Sequence, residues 1–421
     1  MIKRILMIAY HYPPVLGSSG VQRTLQFARY LPEFNWEPII LTVHPRAYPN
    51  IDPKFIDEKQ TKVYRAFALD TAKHLSVMQR YPRLMALPDR WSTWAIGAIP
   101  TGLYLIKKYK PDVIWSTYPI ATAHLIGYCL HRMSKIPWIT DLRDPMVDPD
   151  FPSEPMLRRT YQWIDKKVVH CSSRVVLTTP NATKDYQARY PELPASKFTC
   201  IENGFDEEIF SKIEKKLPSN PNHVNKTENK HFVLLHSGII YSSERNPVQF
   251  FEALAYLSQK KLIDGNHLKI VLRATFNDDY IAGLIQQHKL ESVVSIEPPV
   301  SYEEALSEML TVDGLLIIQA ANCNSQIPAK LYEYVRARKP ILALTDAQGD
   351  TAMKLSDLGI NTIAQLDSKD DIAEKLLQFI QTGKTQSAQI VPMEKIRLNS
   401  RNARTQELAT LLNAATHSSA P

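Results

Sequence analysis

Short apolar runs recur along this chain, and most are followed by a stretch in which apolar residues return every three or four positions. The runs at 5–9, 38–43, 64–67, 112–116, 174–178 and 197–201, with a short one opening at Pro137, read as strands. A second series follows at 232–236, 269–273, 293–296, 314–318 and 341–344. Between them the helical period marks 21–31, 121–133, 156–171, 182–190 and 247–257. Strands that are apolar almost throughout are covered on both faces, and strands alternating with helices build parallel sheets. The expected fold class is α/β. A chain of 421 residues is too long for one ordinary core. A stretch rich in Pro, Asn and Lys, without any period, marks a linker. The expectation is a first doubly wound Rossmann-like domain at 1–205, a linker at 206–230, a second such domain at 231–392, and a terminal segment at 393–421 whose helix spans about 396–412.

The most informative unit follows the strand at 314–318. A polar loop, 322–326, leads into a helix opening at Pro328 and stopping near Lys339 before Pro340, and the strand at 341–344 comes next. Proline suits the first turn of a helix, where its missing N–H is no loss. Such a strand–loop–helix unit presents ligands at the strand's C-terminus and the helix's N-terminus. Lys330 and Glu333 share a face there: a lysine can face phosphate, and a carboxylate can accept two ribose hydroxyls. The alternative is a surface ion pair worth about 0.2–0.5 kcal/mol.

Other strand ends carry candidate chemistry. Gly17 and Gly20 follow the first strand and permit close backbone approach at a helix N-terminus, although a plain loop explains them equally well. Gly238 and Arg245 lie between the strand at 232–236 and its helix, where backbone N–H groups and a guanidinium suit a diphosphate. Arg273 closes another strand and is a further anion contact. The Asp141-Leu142-Arg143-Asp144-Pro145 turn ends the strand opening at Pro137, either as part of an active site or as a structural ion-pair network.

Charge and composition narrow the partners. Apolar residues make up 44% and charged residues 22%, values of an ordinary globular protein. A net charge of +7 favours anionic partners, nucleotide phosphates or an acidic membrane surface. Nucleic acid is not expected, because no recognition motif accompanies the charge. The four cysteines are scattered and none has zinc-site spacing. The N-terminal apolar run is too short for a signal peptide and no run approaches a spanning length of about 18 residues, so a cytoplasmic location is expected. In 78–110, basic residues interleave with Tyr81, Trp91, Trp94 and Tyr104 around the apolar run 95–106. That run reads either as a core helix with a basic end or as an element at the surface of an anionic bilayer.

Ile327-Pro328-Ala329-Lys330-Leu331-Tyr332-Glu333-Tyr334, followed by Lys339-Pro340-Ile341-Leu342, resembles the donor segment of glycosyltransferase family 4, enzymes of the GT-B fold. Asp141–Pro145 resembles the turn of a subgroup of that family, and Asn203-Gly204-Phe205-Asp206 is similar to its end of the first domain. The resemblance implies two domains facing across a cleft, with a last helix packing back on the first domain. It implies a retaining, metal-independent transfer from a nucleotide-diphosphate sugar, a co-substrate with no cofactor beside it, to a glycan or lipid-linked acceptor bound by the first domain. It places Gly17, Gly20, Gly238, Ser325, Ile327, Lys330, Leu331 and Glu333 around the donor and Arg143 and Asp144 at the catalytic turn, and the positions of Arg245 and Arg273 in the chain add them as candidate donor contacts. Ser325 stands where the family usually has the first glutamate of its Glu-x7-Glu pair, Ile239 where it has an arginine, and Arg143 where many members have histidine. Asp148-Pro149-Asp150 spells the Asp-x-Asp of metal-dependent transferases of another fold, and is set aside. A nucleotide-sugar epimerase of similar fold and a silent nucleotide-sugar-binding protein are the alternatives.

Overall fold

The computed structural model describes residues 2–15, 20–52, 61–76, 80–148, 151–217, 231–384 and 391–417. Gly17, Pro149 and Asp150 of the Asp-x-Asp triplet set aside above, and residues 218–230 lie outside them. The chain forms two compact units: residues 1–203 with 401–421, and 204–400.

The first unit has one parallel sheet built from β1 (Lys3–Ile8), β2 (Trp36–Val43), β3 (Lys62–Ala66), β4 (Val113–Thr117), β5 (Trp138–Arg143), β6 (Arg174–Leu177) and β7 (Phe198–Cys200). Their order is β3-β2-β1-β4-β5-β6-β7. The helices are α1 (Gly20–Tyr30), α2 (Thr71–His74), α3 (Trp94–Tyr109), α4 (Ala121–Ser134), α5 (Pro155–Cys171) and α6 (Pro180–Arg189). Every residue of β4 is buried, as an internal parallel strand requires. In α5, Pro155 opens the helix and the Glu154 carboxylate accepts the N–H groups of Met156 and Leu157.

The second unit opens with α7 (Glu207–Lys216) and continues with β8 (Phe232–Ser237), α8 (Val248–Gln259), β9 (Leu268–Arg273), α9 (Asp278–His288), β10 (Val294–Glu297) and α10 (Tyr302–Thr311). β11 (Gly314–Ile318), α11 (Lys330–Ala337), β12 (Ile341–Leu344), α12 (Asp350–Asp357), β13 (Ile363–Ala364), α13 (Lys369–Lys384) and α14 (Met393–Arg397) complete it. Its parallel sheet runs β10-β9-β8-β11-β12-β13. Both sheets thus reverse direction beside their first strand, between β1 and β4 and between β8 and β11. That reversal is where doubly wound sheets open a crevice at their C-terminal edge.

Three boundaries differ from the sequence reading. Residues 207–216, inside the expected linker, form α7, capped by Asp206 and held by buried Phe210 and Ile213. The helix expected from Pro328 starts at Lys330, because a tight turn from Leu331 N to Pro328 O precedes it. The single tail helix is two pieces: α14 belongs to the second unit, and α15 (Arg401–His417) belongs to the first and packs on α1. Between them the Asn399 side chain donates to Lys395 O and its own carbonyl accepts Phe205 N–H, which ends the helix.

The run 95–106 lies in α3, with Trp94, Ala98, Gly102 and Leu105 turned into the core and the opposite face open. Ile96 is 73% exposed and Tyr104 55%. Among the described residues, no helix is long and apolar enough to cross a membrane.

Candidate functional site

In the second unit, three loops meet at the C-terminal edge of the sheet. The loop after β8 joins the loop after β11 through Ala320 N–H to Glu244 O, 2.8 Å, and Asn322 Nδ2 to Ser243 O, 3.3 Å. The loop after β12 is joined in turn: Asn324 Nδ2 donates to Asp346 Oδ2 at 2.7 Å, and Asn324 O accepts from Asp350 N–H at 2.8 Å. Gln319 braces the β11 loop from beneath, donating from Nε2 to the carbonyls of Cys323 and Gln326. These bonds hold the start of α11 over the reversal point of the sheet.

Lys330, at the first position of α11, is half-buried. Its Nζ lies 3.3 Å from Nε2 of His236, a fully buried side chain on β8. The His236 Nδ1 is 2.9 Å from Leu316 O on the neighbouring strand. A backbone carbonyl only accepts, so Nδ1 carries the proton and Nε2 presents its lone pair to Lys330. Gly238 stands beside them at φ +122°, and a Cβ built there would lie 2.8 Å from Lys330 Nζ. The backbone conformation therefore demands glycine, and a side chain there would also displace the Lys330 amine.

Arg245 comes from the loop after β8, packing over the Tyr241 ring at 5.4 Å and donating to Ile239 O. Burial, and then the Arg245 charge, lower the Lys330 pKa well below that of a free lysine, while Glu333 opposes the shift. His236 is likewise held neutral, by burial first and by the Lys330 charge second. Glu333, one turn further along α11, accepts a hydrogen bond from Tyr302 Oη at 2.7 Å. Tyr334 accepts the Ser237 N–H at 2.9 Å and ties α11 to the end of β8.

The structure thus brings Gly238, Arg245, Lys330 and Glu333 together. Arg273 closes β9, but its guanidinium turns toward α10, donating to both Glu308 carboxylate oxygens and to Pro298 O. Ser325 is half-buried in the loop before α11. The Ile327 and Leu331 side chains are buried in the core, so only their backbones reach the loop surface. His236, Tyr302 and Tyr334 escaped the sequence reading. Tyr334 follows Lys330 by one helical turn and was the one with a local signal.

In the first unit, the Asp141–Asp144 turn divides its side chains. Asp141 is fully buried, and both its oxygens accept from Arg23 of α1 at 2.9 Å. Arg23 also donates to the carbonyls of Ile201 and Glu202, and Thr117 Oγ1 donates to Asp141. A register shift in the β5–β6 pairing between Asp141 and Arg143 then re-aims the chain. Arg143 takes φ +63°, rare for a residue with a Cβ. It stays half-buried while Asp144 is exposed. The protein packed around the turn raises the Asp144 pKa by desolvation, against the pull of Arg143 and Arg23. His11, just beyond β1, has its pKa lowered to about 4 by burial and by Arg143. His11 is neutral near pH 7 and able to accept a proton, and it too escaped the sequence reading. Gly20 is buried as the first residue of α1.

Residues 19–204 match the family model described as a glycosyl transferase 4-like domain. No curated protein matches the sequence significantly. Among solved structures, sucrose-phosphate synthase from Thermosynechococcus elongatus is similar over 99% of this chain and 100% of its own, with 13% identity and a TM-score of 0.70. Anabaena Alr3699/HepE, solved in complex with UDP and glucose, covers 98% of this chain and 100% of its own at 14% identity and a TM-score of 0.60. A UDP-forming trehalose-phosphate synthase from Burkholderia xenovorans, in complex with glucose-6-phosphate, covers 98% and 100% at 12% identity and a TM-score of 0.64. At these identities the likeness is one of fold, and the fold is GT-B.

Proposed function

We infer, from a chain that carries a glycosyl transferase 4-like domain over residues 19–204 and has the GT-B fold throughout, that it moves a sugar from a nucleotide-diphosphate donor to a glycan or lipid-linked acceptor. The observation that carries the donor half is the pair of cations, Lys330 and Arg245, at the β8–β11 reversal, with Gly238 leaving the space between strand and helix open. Two cationic side chains and the N-terminus of α11 offer the charge that a departing diphosphate needs, which supports a metal-independent reaction. Glu333 is suited to the ribose hydroxyls. The sugar C1–O bond to the diphosphate breaks, the acceptor oxygen forms the new bond on the same face with retention, and the acceptor proton leaves to a diphosphate oxygen. Arg143, Asp144 and His11 of the first unit are the acceptor-side groups. The family match does not favour an epimerase or a silent binding protein, although Ser325 and Ile239 depart from the family pattern in the sense of the latter.

Uridine diphosphate is the first ligand to test, since HepE was solved with it. Without divalent metal, uridine or guanosine diphosphate sugars should stabilise the protein by about 2.7 kcal/mol at a hundredfold excess over Kd. No shift with any nucleotide, or a shift only when metal is added, sinks the donor assignment.

A lipid-linked acceptor would bring the first unit to an anionic bilayer, as expected for surface polysaccharide synthesis. Exposed Phe67, Leu84, Met85, Ile96 and Tyr104 supply apolar contact. Hydrogen bonds from Thr93 to Leu69 and from Ser92 and Thr71 to Met85 O knit those segments around the start of α3. Exposed Lys107 and Lys108 complement anionic headgroups, contributing about 1 kcal/mol each near the surface. Sedimentation with anionic but not neutral vesicles at low salt is the expected result, and equal recovery in both supernatants refutes it.

A further inference from the structure

We propose that His236 is a positioning residue for Lys330, and that the pair makes binding of a nucleoside diphosphate a proton-taking step. The inference rests on the donor reading above and goes beyond it. Its geometric basis is threefold. The His236 ring is locked by Leu316 O at 2.9 Å, so its lone pair has one direction. That lone pair meets Lys330 Nζ at 3.3 Å. The missing Cβ of Gly238 leaves room for the amine, since a methyl group would lie 2.8 Å from it. A lysine on the first turn of a helix has four rotatable bonds, and these contacts select one position among many.

The surroundings make that position uncomfortable for a charge while the site is empty. Burial weighs first against the Lys330 charge, and the charge of Arg245, on the loop after β8, adds to it. Glu333, on the same helix, is the opposing group. His236 offers a lone pair from β8 but no negative charge, and the Tyr334 hydroxyl at the end of that strand stays protonated because burial raises its pKa. Lys330 therefore gives up its proton more readily than an exposed lysine. An incoming diphosphate reverses the balance: it supplies negative charge to both cations, and the lysine takes a proton from solvent as the ligand binds. The sign follows. Once pH exceeds the lowered lysine pKa of the empty site, each step upward weakens nucleotide binding, because the proton must be drawn from a poorer supply.

Two substitutions separate positioning from packing. His236→Asn places its amide where Nδ1 was, keeping a donor for Leu316 O but offering nothing to Lys330. His236→Gln reaches the Nε2 position and can present an oxygen to the amine. The test is calorimetry of uridine diphosphate binding at about pH 8, in buffers of different ionisation enthalpy, where the ligand's own phosphate (second pKa about 6) is already ionised. For the wild type, the observed enthalpy should vary with the buffer in the sense of proton uptake, and affinity should fall as pH is raised. In His236→Asn, the released lysine is solvated and already charged. The buffer dependence should then shrink, and affinity should fall about tenfold, the equivalent of ~1.4 kcal/mol. His236→Gln should recover most of both. Lys330→Met, at a half-buried position that tolerates an apolar side chain, should abolish the buffer dependence even if the strand variants fold poorly. A wild type that binds with no buffer dependence, or a Gln variant as impaired as the Asn variant, overturns the proposal and leaves the donor site standing. A wild type that binds no nucleotide overturns the donor reading and this inference with it.

Discussion

Replacing Gly238 with alanine tests the donor site at its tightest point. Two separate effects are expected, and the structure lets each be sized. The first is in the backbone. At φ +122° a residue with a Cβ is strained, and holding it there costs on the order of 1–3 kcal/mol of folding stability. The second is local. The new methyl would lie 2.8 Å from Lys330 Nζ and 3.3 Å from its Cε, so one of them must move. The far end of a lysine yields more easily than a sheet, and the amine leaves His236. Losing a charge-assisted contact to the diphosphate should cost about 1.5–3 kcal/mol of donor binding. That range is roughly a 10- to 150-fold rise in Kd.

Lys330→Ala removes the same contact without touching the backbone, so the two substitutions form a cycle. In the Lys330→Ala background, Gly238→Ala should still lower the apo unfolding free energy by the strain term, read from urea titrations. It should barely weaken donor binding any further, read by calorimetry, because the contact it disrupts is already gone. The coupling in binding should therefore be about as large as either single effect, as for residues sharing one interaction. Additive losses in binding would mean that glycine and lysine contribute independently. Wild-type affinity in the Gly238 single variant would mean that Lys330 does not face the diphosphate at all.

Two further outcomes follow from the same geometry. Glu333→Gln should cost about 1.5–3 kcal/mol of donor affinity by losing charge-assisted bonds to ribose hydroxyls, while Ser325→Ala costs much less and both melt near wild type without ligand; calorimetry beside melting curves checks this, and unchanged affinity in the Glu333 variant would leave α11 as architecture. His124 should make the first unit acid-sensitive: it is fully buried and neutral, with its pKa lowered from 6.5 to about 3 by burial. As pH falls below 6.5, the unfolded chain takes up a proton that the folded one refuses, so stability drops by up to about 1.4 kcal/mol per pH unit, and His124→Gln should flatten that slope in urea midpoints between pH 7 and 5.

How much of this was readable in the sequence depends on how local each signal is. Strands β11 and β12 were legible because every residue of both is buried, so their apolar runs are unbroken. Lys330 and Glu333 were legible because three residues along a helix fix their shared face. α7 was not: its apolar residues Ile209, Phe210 and Ile213 do keep helical spacing, but it is short, mostly charged, and runs straight into the Pro-, Asn- and Lys-rich stretch. The break between α14 and α15 was hidden for another reason. It depends on Asn399 pairing with Phe205, which lies in the chain nearly two hundred residues earlier.

The site divides along the same line. In Asp141-Leu142-Arg143-Asp144, four adjacent letters suggested one functional cluster, yet the register shift beside β6 sends them different ways. Asp141 turns inward to Arg23, whose position 118 residues earlier carries no hint of the pairing. A buried ion pair of this kind is weak evidence of net stability but strong evidence of local order, since removing one partner strands the other charge. Arg143 and Asp144 can face outward because Asp141 anchors the strand end behind them. His236 repeats the logic in the second unit. In sequence it is one polar letter closing an apolar strand. Its meaning arises only when α11, 94 residues later, returns Lys330 to within 3.3 Å of its ring. Motifs thus pointed to the two strand ends proposed here as the site, while the residues that hold the motif side chains in place, Arg23 and His236, are visible only through contacts that the fold creates.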